Sequence, residues 1–217
     1  MKRTLVSLAC LLLSATAGTA QAAPIVYTTE AGWLAALGAA TVSTENFASS
    51  PLGNLAAGTT DIGLFNITIN KAGSFTTIVD GGSVNGSREY QGRLCDGDPG
   101  CDDATAMSLD FDSPLVGFAG NWASTTSRDL LTMLINGTTI KFSDYLTVPG
   151  TGILGVVDSA GFSAITFGLE DNPGSFAEVF QLDNARLASG SAIPEPATLG
   201  LLGLGLAGLG FARRRKA

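Results

Sequence analysis

The chain has 217 residues with 12 basic and 19 acidic side chains, no histidine, and a formal net charge of −7. The lack of imidazole excludes Ser-His and Cys-His nucleophilic catalysis, imidazole zinc sites and histidine-ligated haem. An acidic surface argues against nucleic-acid partners and favours cations or neutral ones.

At the N-terminus, Lys2-Arg3 precede a hydrophobic run from Leu5 to Ala17, and Ala20-Gln21-Ala22 offers a small-x-small cleavage site. This pattern is that of a secretory signal peptide, residues 1–22, whose removal leaves Ala23 at the front. Cys10 sits within the apolar run and leaves with it.

The body, residues 23–189, is long enough for one domain with a sizeable core. Its first element is a helix. Thr28 to Leu37 is rich in Ala and Leu, opens on a hydroxyl cap and closes at Gly38, with Trp33, Leu34 and Leu37 expected to pack inward. Strands are expected at Thr41 to Phe47, Ile62 to Ile69 and Phe75 to Val79, with Leu64 on the opposite face from Phe65, Ile67 and Ile69. Ala106 to Phe111 and Val116 to Trp122 are read as a pair joined across Asp112-Ser113-Pro114. Leu130 to Ile135 and Thr138 to Phe142 flank Asn136-Gly137, a strong hairpin signal because both residues accept positive φ. Ile153 to Val157, Ala164 to Leu169 and Phe180 to Leu187 complete about nine strands. The expected fold is all-β: an antiparallel, jelly-roll-like β-sandwich of two packed sheets with one short N-terminal helix.

Between these elements lies Cys95-Asp96-Gly97-Asp98-Pro99-Gly100-Cys101-Asp102-Asp103, the most unusual composition in the body. In an exported protein, Cys95 and Cys101 are expected to close a disulfide across this tight loop, with a redox-active pair as the rival. A loop that small contributes about 2 kcal/mol in the chain-entropy account. Asp96, Asp98, Asp102 and Asp103 are candidate ligands for extracellular calcium, with an affinity of order 10⁻³ M. A solvated acidic turn explains the same residues without a metal.

Two further chemistries can be weighed. Trp122 and Tyr90 are candidate platforms for stacking on a sugar face, against ordinary burial in the core. Glu45, Glu89, Glu170 and Glu178 could supply a glycosidase pair, which needs two carboxyls about 5 to 10 Å apart. No pair among them is marked by spacing, so the body is expected to be non-enzymatic, and a secreted carbohydrate-active enzyme is the alternative.

The C-terminus carries a second address. Pro194-Glu195-Pro196 is followed by an apolar run from Ala197 to Ala212 and then by Arg213-Arg214-Arg215-Lys216. A greasy segment backed by cations can enter a bilayer but is stopped there, because the basic residues stay on the cytoplasmic side. At 1.5 Å per residue the run is a short, Gly-rich transmembrane helix. Ile193-Pro194-Glu195-Pro196-Ala197-Thr198-Leu199, the Leu/Gly run and the basic end together resemble the PEP-CTERM sorting signal of Gram-negative bacteria. The resemblance implies recognition by an exosortase, a membrane-embedded cysteine peptidase, after passage through the secretion machinery. It also implies an inner-membrane-anchored precursor, cleavage near Pro194-Glu195-Pro196, and delivery to the cell surface or the extracellular medium. PEP-CTERM proteins tend to occur beside exopolysaccharide biosynthesis, which implies a matrix or biofilm role. Six of the 12 basic residues and one of the 19 acidic ones lie in the two ends, so the body between them carries a net charge near −12.

Overall fold

The computed structural model describes residues 23–71, 76–82, 84, 87–95, 105–124, 130–147, 150–170 and 177–190. In chain order the elements are β1 (Ile25–Tyr27), α1 (Glu30–Leu37), β2 (Thr41–Glu45), β3 (Gly53–Asn54), β4 (Gly58–Asp61), β5 (Asn66–Ile69) and β6 (Thr77–Val79). Then follow β7 (Glu89–Cys95), β8 (Met107–Ser124), β9 (Leu131–Ile135), β10 (Thr138–Lys141), β11 (Gly150–Leu169) and β12 (Ala177–Ser189). The expected all-antiparallel β body with one helix is found. Its strands, however, form one hydrogen-bonded sheet of 12 strands instead of two separate ones.

Two long strands make this continuity possible. β8 pairs with β5 and the end of β11 through Met107–Asp110, and with β12 and the start of β11 through Gly117–Ser124. Between those stretches the β8–β11 register breaks twice, on either side of the Phe162–Leu115 pair. Such irregularities bend a strand sharply, so each long strand serves both halves of the sheet. The sequence expectation of a strand pair across Asp112-Ser113-Pro114 is thereby corrected. Proline lacks an N–H and reads as a terminator, yet here it sits in a bend that leaves ladder partners unneeded. Ile153 to Val157 and Ala164 to Leu169 are likewise parts of one strand, β11.

The bend brings the two halves face to face. Tyr90 on β7 donates its hydroxyl to Met107 Sδ at 2.8 Å, although β7 and the start of β8 share no ladder. Phe167 and Phe180 stack with centroids 5.2 Å apart, and Trp122 meets Phe142 edge-on at 4.9 Å. One apolar core runs between the halves, from Phe47 and Phe65 through Tyr90, Phe118 and Trp122 to Ile140.

Local chemistry accounts for the small elements. Thr29 caps α1, its hydroxyl accepting from the Gly32 N–H at 3.2 Å, and Gly38 ends it at φ 60°. Trp33 and Leu37, four apart on one stripe, are buried against the outer side of the sheet, and Trp33 Nε1 donates to Val156 O at 3.0 Å. Leu34 is 43% exposed, correcting its inward assignment, because a residue next to Trp33 lies about 100° around the helix. β9 and β10 join through Asn136 (φ 47°) and Gly137 (φ 81°), the turn that the sequence announces. Phe65, Ile67 and Ile69 are buried with Leu64 outside, as alternation requires, but the strand begins only at Asn66. Before it, Gly63 turns at φ 108° with its N–H held by Asp61 Oδ1 at 2.8 Å. β2 ends at Glu45, and Phe47 adopts φ 58° while fully buried, its N–H held by Glu45 Oε1 at 2.7 Å. Phe75 lies outside the described residues.

Candidate functional site

β7 was not legible as a strand, and it carries two fully buried side chains with polar atoms, Glu89 and Tyr90. Its residues, Glu89-Tyr90-Gln91-Gly92-Arg93-Leu94-Cys95, lack β-branched side chains. It forms because it is sandwiched between β6 and β12, with Tyr90 opposite Ile78 on one side and Leu182 on the other. Gly92 admits the Phe180 ring, whose Cζ lies 2.6 Å from where a Cβ would stand.

That placement decides the fate of both proposed sugar platforms. Tyr90 is fully buried, and removal from water pushes its pKa well above the ordinary tyrosine value. Trp122 is 1% exposed, ringed by Phe118, Phe142, Phe167 and Phe180, with its Nε1 donating to Leu154 O at 3.1 Å. Neither ring offers a face to a ligand, so both assignments are corrected to core packing. In the sequence they stood beside polar residues, but in a half-buried strand every second residue faces inward whatever its neighbours are.

The carboxylates are occupied by the chain itself. Glu45 holds the Phe47 N–H, and its Oε2 lies 3.3 Å from where a Gly63 Cβ would stand. Glu89 is fully buried under the β6–β7 connection, its Oε2 accepting from the Val84 N–H at 3.0 Å. Gly82 lies so close over this carboxyl that an added Cβ would fall 1.7 Å from Glu89 Cδ. Glu178 is 1% exposed and accepts the Leu130 N–H at 3.4 Å. Glu178 shares the inward parity of Phe180 and Leu182, whereas Glu89 has the outward parity of Gln91, so these two emerge on opposite faces of the β7–β12 ladder. Glu170 pairs with Lys141, whose ammonium it holds above the ordinary lysine range through their hydrogen bond. Each of these acids has a structural partner.

A further polar group escaped sequence reading. Asp183 is fully buried and takes the Ser87 hydroxyl at 2.8 Å and the Asn184 N–H at 2.6 Å. Beside it the β12–β8 register breaks and Asn184 turns to φ 47°. Arg186 donates to Asn121 Oδ1 and to Asn184 O, and reaches Glu30 Oε1 in the first turn of α1 at 2.8 Å. Asp-Asn inside a strand is a bulge signal, and that signal was available. This group locks α1, β8 and β12 together.

Cys95 is 2% exposed and disulfide-bonded. Cys101 and the candidate calcium ligands Asp96, Asp98, Asp102 and Asp103 lie outside the described residues, as do residues 1–22, Pro194, Glu195, Pro196 and the basic end Arg213, Arg214, Arg215 and Lys216. Among the described residues no three Cys, Asp or Glu side chains gather as a metal site, and no helix is long and apolar enough to cross a membrane.

The molecule is thus an antiparallel β protein with a helix packed on its outer side, and its most specific functional element is carried in its sequence after β12. Residues 192–216 match the family model of the PEP-CTERM protein-sorting motif. The chain therefore bears the sorting signal of exosortase substrates, which implies an exported protein with a membrane-anchored precursor. No curated protein matches this chain.

Proposed function

We propose that this protein is a non-enzymatic component of the cell surface or extracellular matrix, released from its membrane anchor by exosortase and associated there with exopolysaccharide. The observation that carries the reading is the sorting motif at residues 192–216, placed directly after a folded β body. The jelly-roll-like sandwich expected of that body is in keeping with a sheet folded over one core. The acids that a glycosidase would need are spent on backbone N–H groups or on Lys141, which supports a structural role over a catalytic one. With Trp122 and Tyr90 buried, a glycan would be held by polar side chains and backbone on the surface, without stacking on either of these two rings. The same reading assigns any weak calcium binding, of order 10⁻³ M, to Asp96, Asp98, Asp102 and Asp103, and titration calorimetry without heat at such concentrations would remove it.

The test is co-expression with an exosortase, followed by intact-mass measurement of surface material. The expected mass lacks the arginine cluster, and replacing Pro194, Glu195 and Pro196 by alanine restores it. Surface material that keeps the cluster in the presence of active enzyme overturns the sorting step. Release of reducing ends from a polysaccharide panel, abolished by one Glu or Asp substitution, overturns the non-enzymatic role.

A further inference from the structure

We propose that the membrane-anchored precursor is tethered to the phospholipid bilayer at one pole of its body, so that it cannot turn the opposite pole, marked by Cys95, down onto the membrane. The inference rests on the reading above that both chain ends are membrane addresses, and it adds an orientation.

The pole follows from strand pairing. Ile25, two residues after the expected leader cleavage site, pairs with Val157 on β11. Val157 pairs with Gly117 on β8, Gly117 with Ala188 on β12, and Ala188 with Val42 on β2. The first and last strands therefore place their outer ends in one row. Three strand spacings of about 4.8 Å separate Ile25 from Ala188, roughly 14 Å. Nothing in a β protein requires its ends to meet this way: an added or missing strand would send one end to the opposite side.

Cys95 lies at the other end of the same strands. It pairs with Ala177, where β12 begins, while Ser189 is where β12 ends. Thr105, at the far side of residues 96–104, borders Met107, which pairs with Phe167 and touches Tyr90. At about 3.3 Å per residue, β12 separates the two poles by roughly 40 Å.

Reach then decides the orientation. Ser189 is paired to Thr41, and β12 is flanked on both sides up to Ala188, so the exit is held in the sheet. Ala197, the first residue of the apolar run, follows Ser189 by eight residues. A fully extended chain covers at most about 28 Å over that distance, less than the roughly 40 Å needed to invert the body. The body therefore cannot stand inverted on its Cys95 pole until the tail is cut. This orientation leaves the sorting enzyme a cleavage motif a few residues beyond a folded sheet end.

The experiment uses the precursor made without exosortase, tail intact, reconstituted in phosphatidylcholine vesicles that carry a trace of headgroup-labelled acceptor lipid. A donor dye is attached through Ile25→Cys in one variant and Thr151→Cys in another, both positions being exposed. Thr151 lies six residues along β11 from the partner of Ile25, about 20 Å toward the other pole. The wild-type chain, labelled in parallel, sets the background. Energy transfer is expected to be several-fold stronger from position 25 than from position 151, and a flexible insert of about 60 residues after Gly190 is expected to erase the difference, since its root-mean-square span of roughly 43 Å matches the length of the body. Equal or reversed transfer from vesicle-bound protein overturns the orientation and leaves the anchor reading intact. A difference that survives the insert overturns the tether as its cause. Failure of the precursor to float with vesicles overturns the anchor reading and the orientation with it.

Discussion

Asn136 Nδ2 donates to Asp158 Oδ2 at 2.9 Å, joining the tip of the β9–β10 hairpin to the break in β11. The same amide also donates to Gly161 O at 2.8 Å, and Asp158 Oδ1 accepts from the Ala160 N–H at 2.9 Å. Asp158 is 1% exposed, so a carboxyl buried where the β8–β11 register breaks is satisfied from two directions. Asn136 thus performs two tasks, holding a positive-φ turn and bracing a second element against it.

Separating those tasks is the first test. Asn136→Gly keeps the turn geometry and loses both side-chain bonds, leaving the Asp158 carboxylate short of a donor. A loss of about 1–3 kcal/mol is expected from urea unfolding of the processed protein. Asn136→Ala adds the strain of φ 47° and is expected to cost more than the glycine variant. A glycine variant as stable as wild type would show that the bridge does not hold the bend.

Packing of α1 gives the second. A Cβ at Gly155 would stand 2.8 Å from Trp33 Cδ1 and 2.8 Å from Ala119 Cβ, neither of them a flexible side-chain tip. Gly155→Ala is therefore expected to lose about 1–3 kcal/mol, read as a lower melting temperature and a red shift of tryptophan emission as Trp33 is displaced.

Tyr90 supplies a pH dependence whose sign is definite. Burial raises its pKa well above the ordinary 10.0, so at alkaline pH the unfolded chain gives up a proton that the folded one keeps. The folded state then binds more protons, and stability falls as pH climbs above 10. Tyr90→Phe is expected to lessen that alkaline loss while costing about 1 kcal/mol or less at neutral pH, because the hydroxyl donates only to a thioether. Urea midpoints of the two proteins between neutrality and pH 11 should converge as pH rises.

Buried Glu89 tests whether the acids serve folding. Glu89→Ala removes the acceptor of the Val84 N–H and opens space under Gly82. The expected outcome is a loss of about 1–3 kcal/mol, with the β6–β7 connection becoming the first site of limited proteolysis. Retention of full stability would free this carboxylate for another role.

Legibility along the chain followed the range of the interaction involved. The Thr29 cap, Gly38 stop and Asn136-Gly137 turn depend on contacts within a few residues, and each stands where its residues put it. Tyr90 and Trp122 could not be placed in the same way. Whether a ring faces core or solvent depends on strand parity and on what lies across the fold, and Met107 and Phe142 settle that from elsewhere in the chain. β7 was missed because its polar residues gain strand geometry only from β6 and β12. Leu34 was misplaced because an apolar residue beside Trp33 cannot share its narrow stripe.

What the amino-acid order determined alone is the address: the motif at residues 192–216 is recognised by local composition and order, independent of any fold. What only the tertiary structure decided is how the body is built. The bends in β8 and β11, the single sheet and the shared exit of β1 and β12 arise from pairings between residues tens of positions apart. Their free energy comes from closing a common core, which no short window of residues contains.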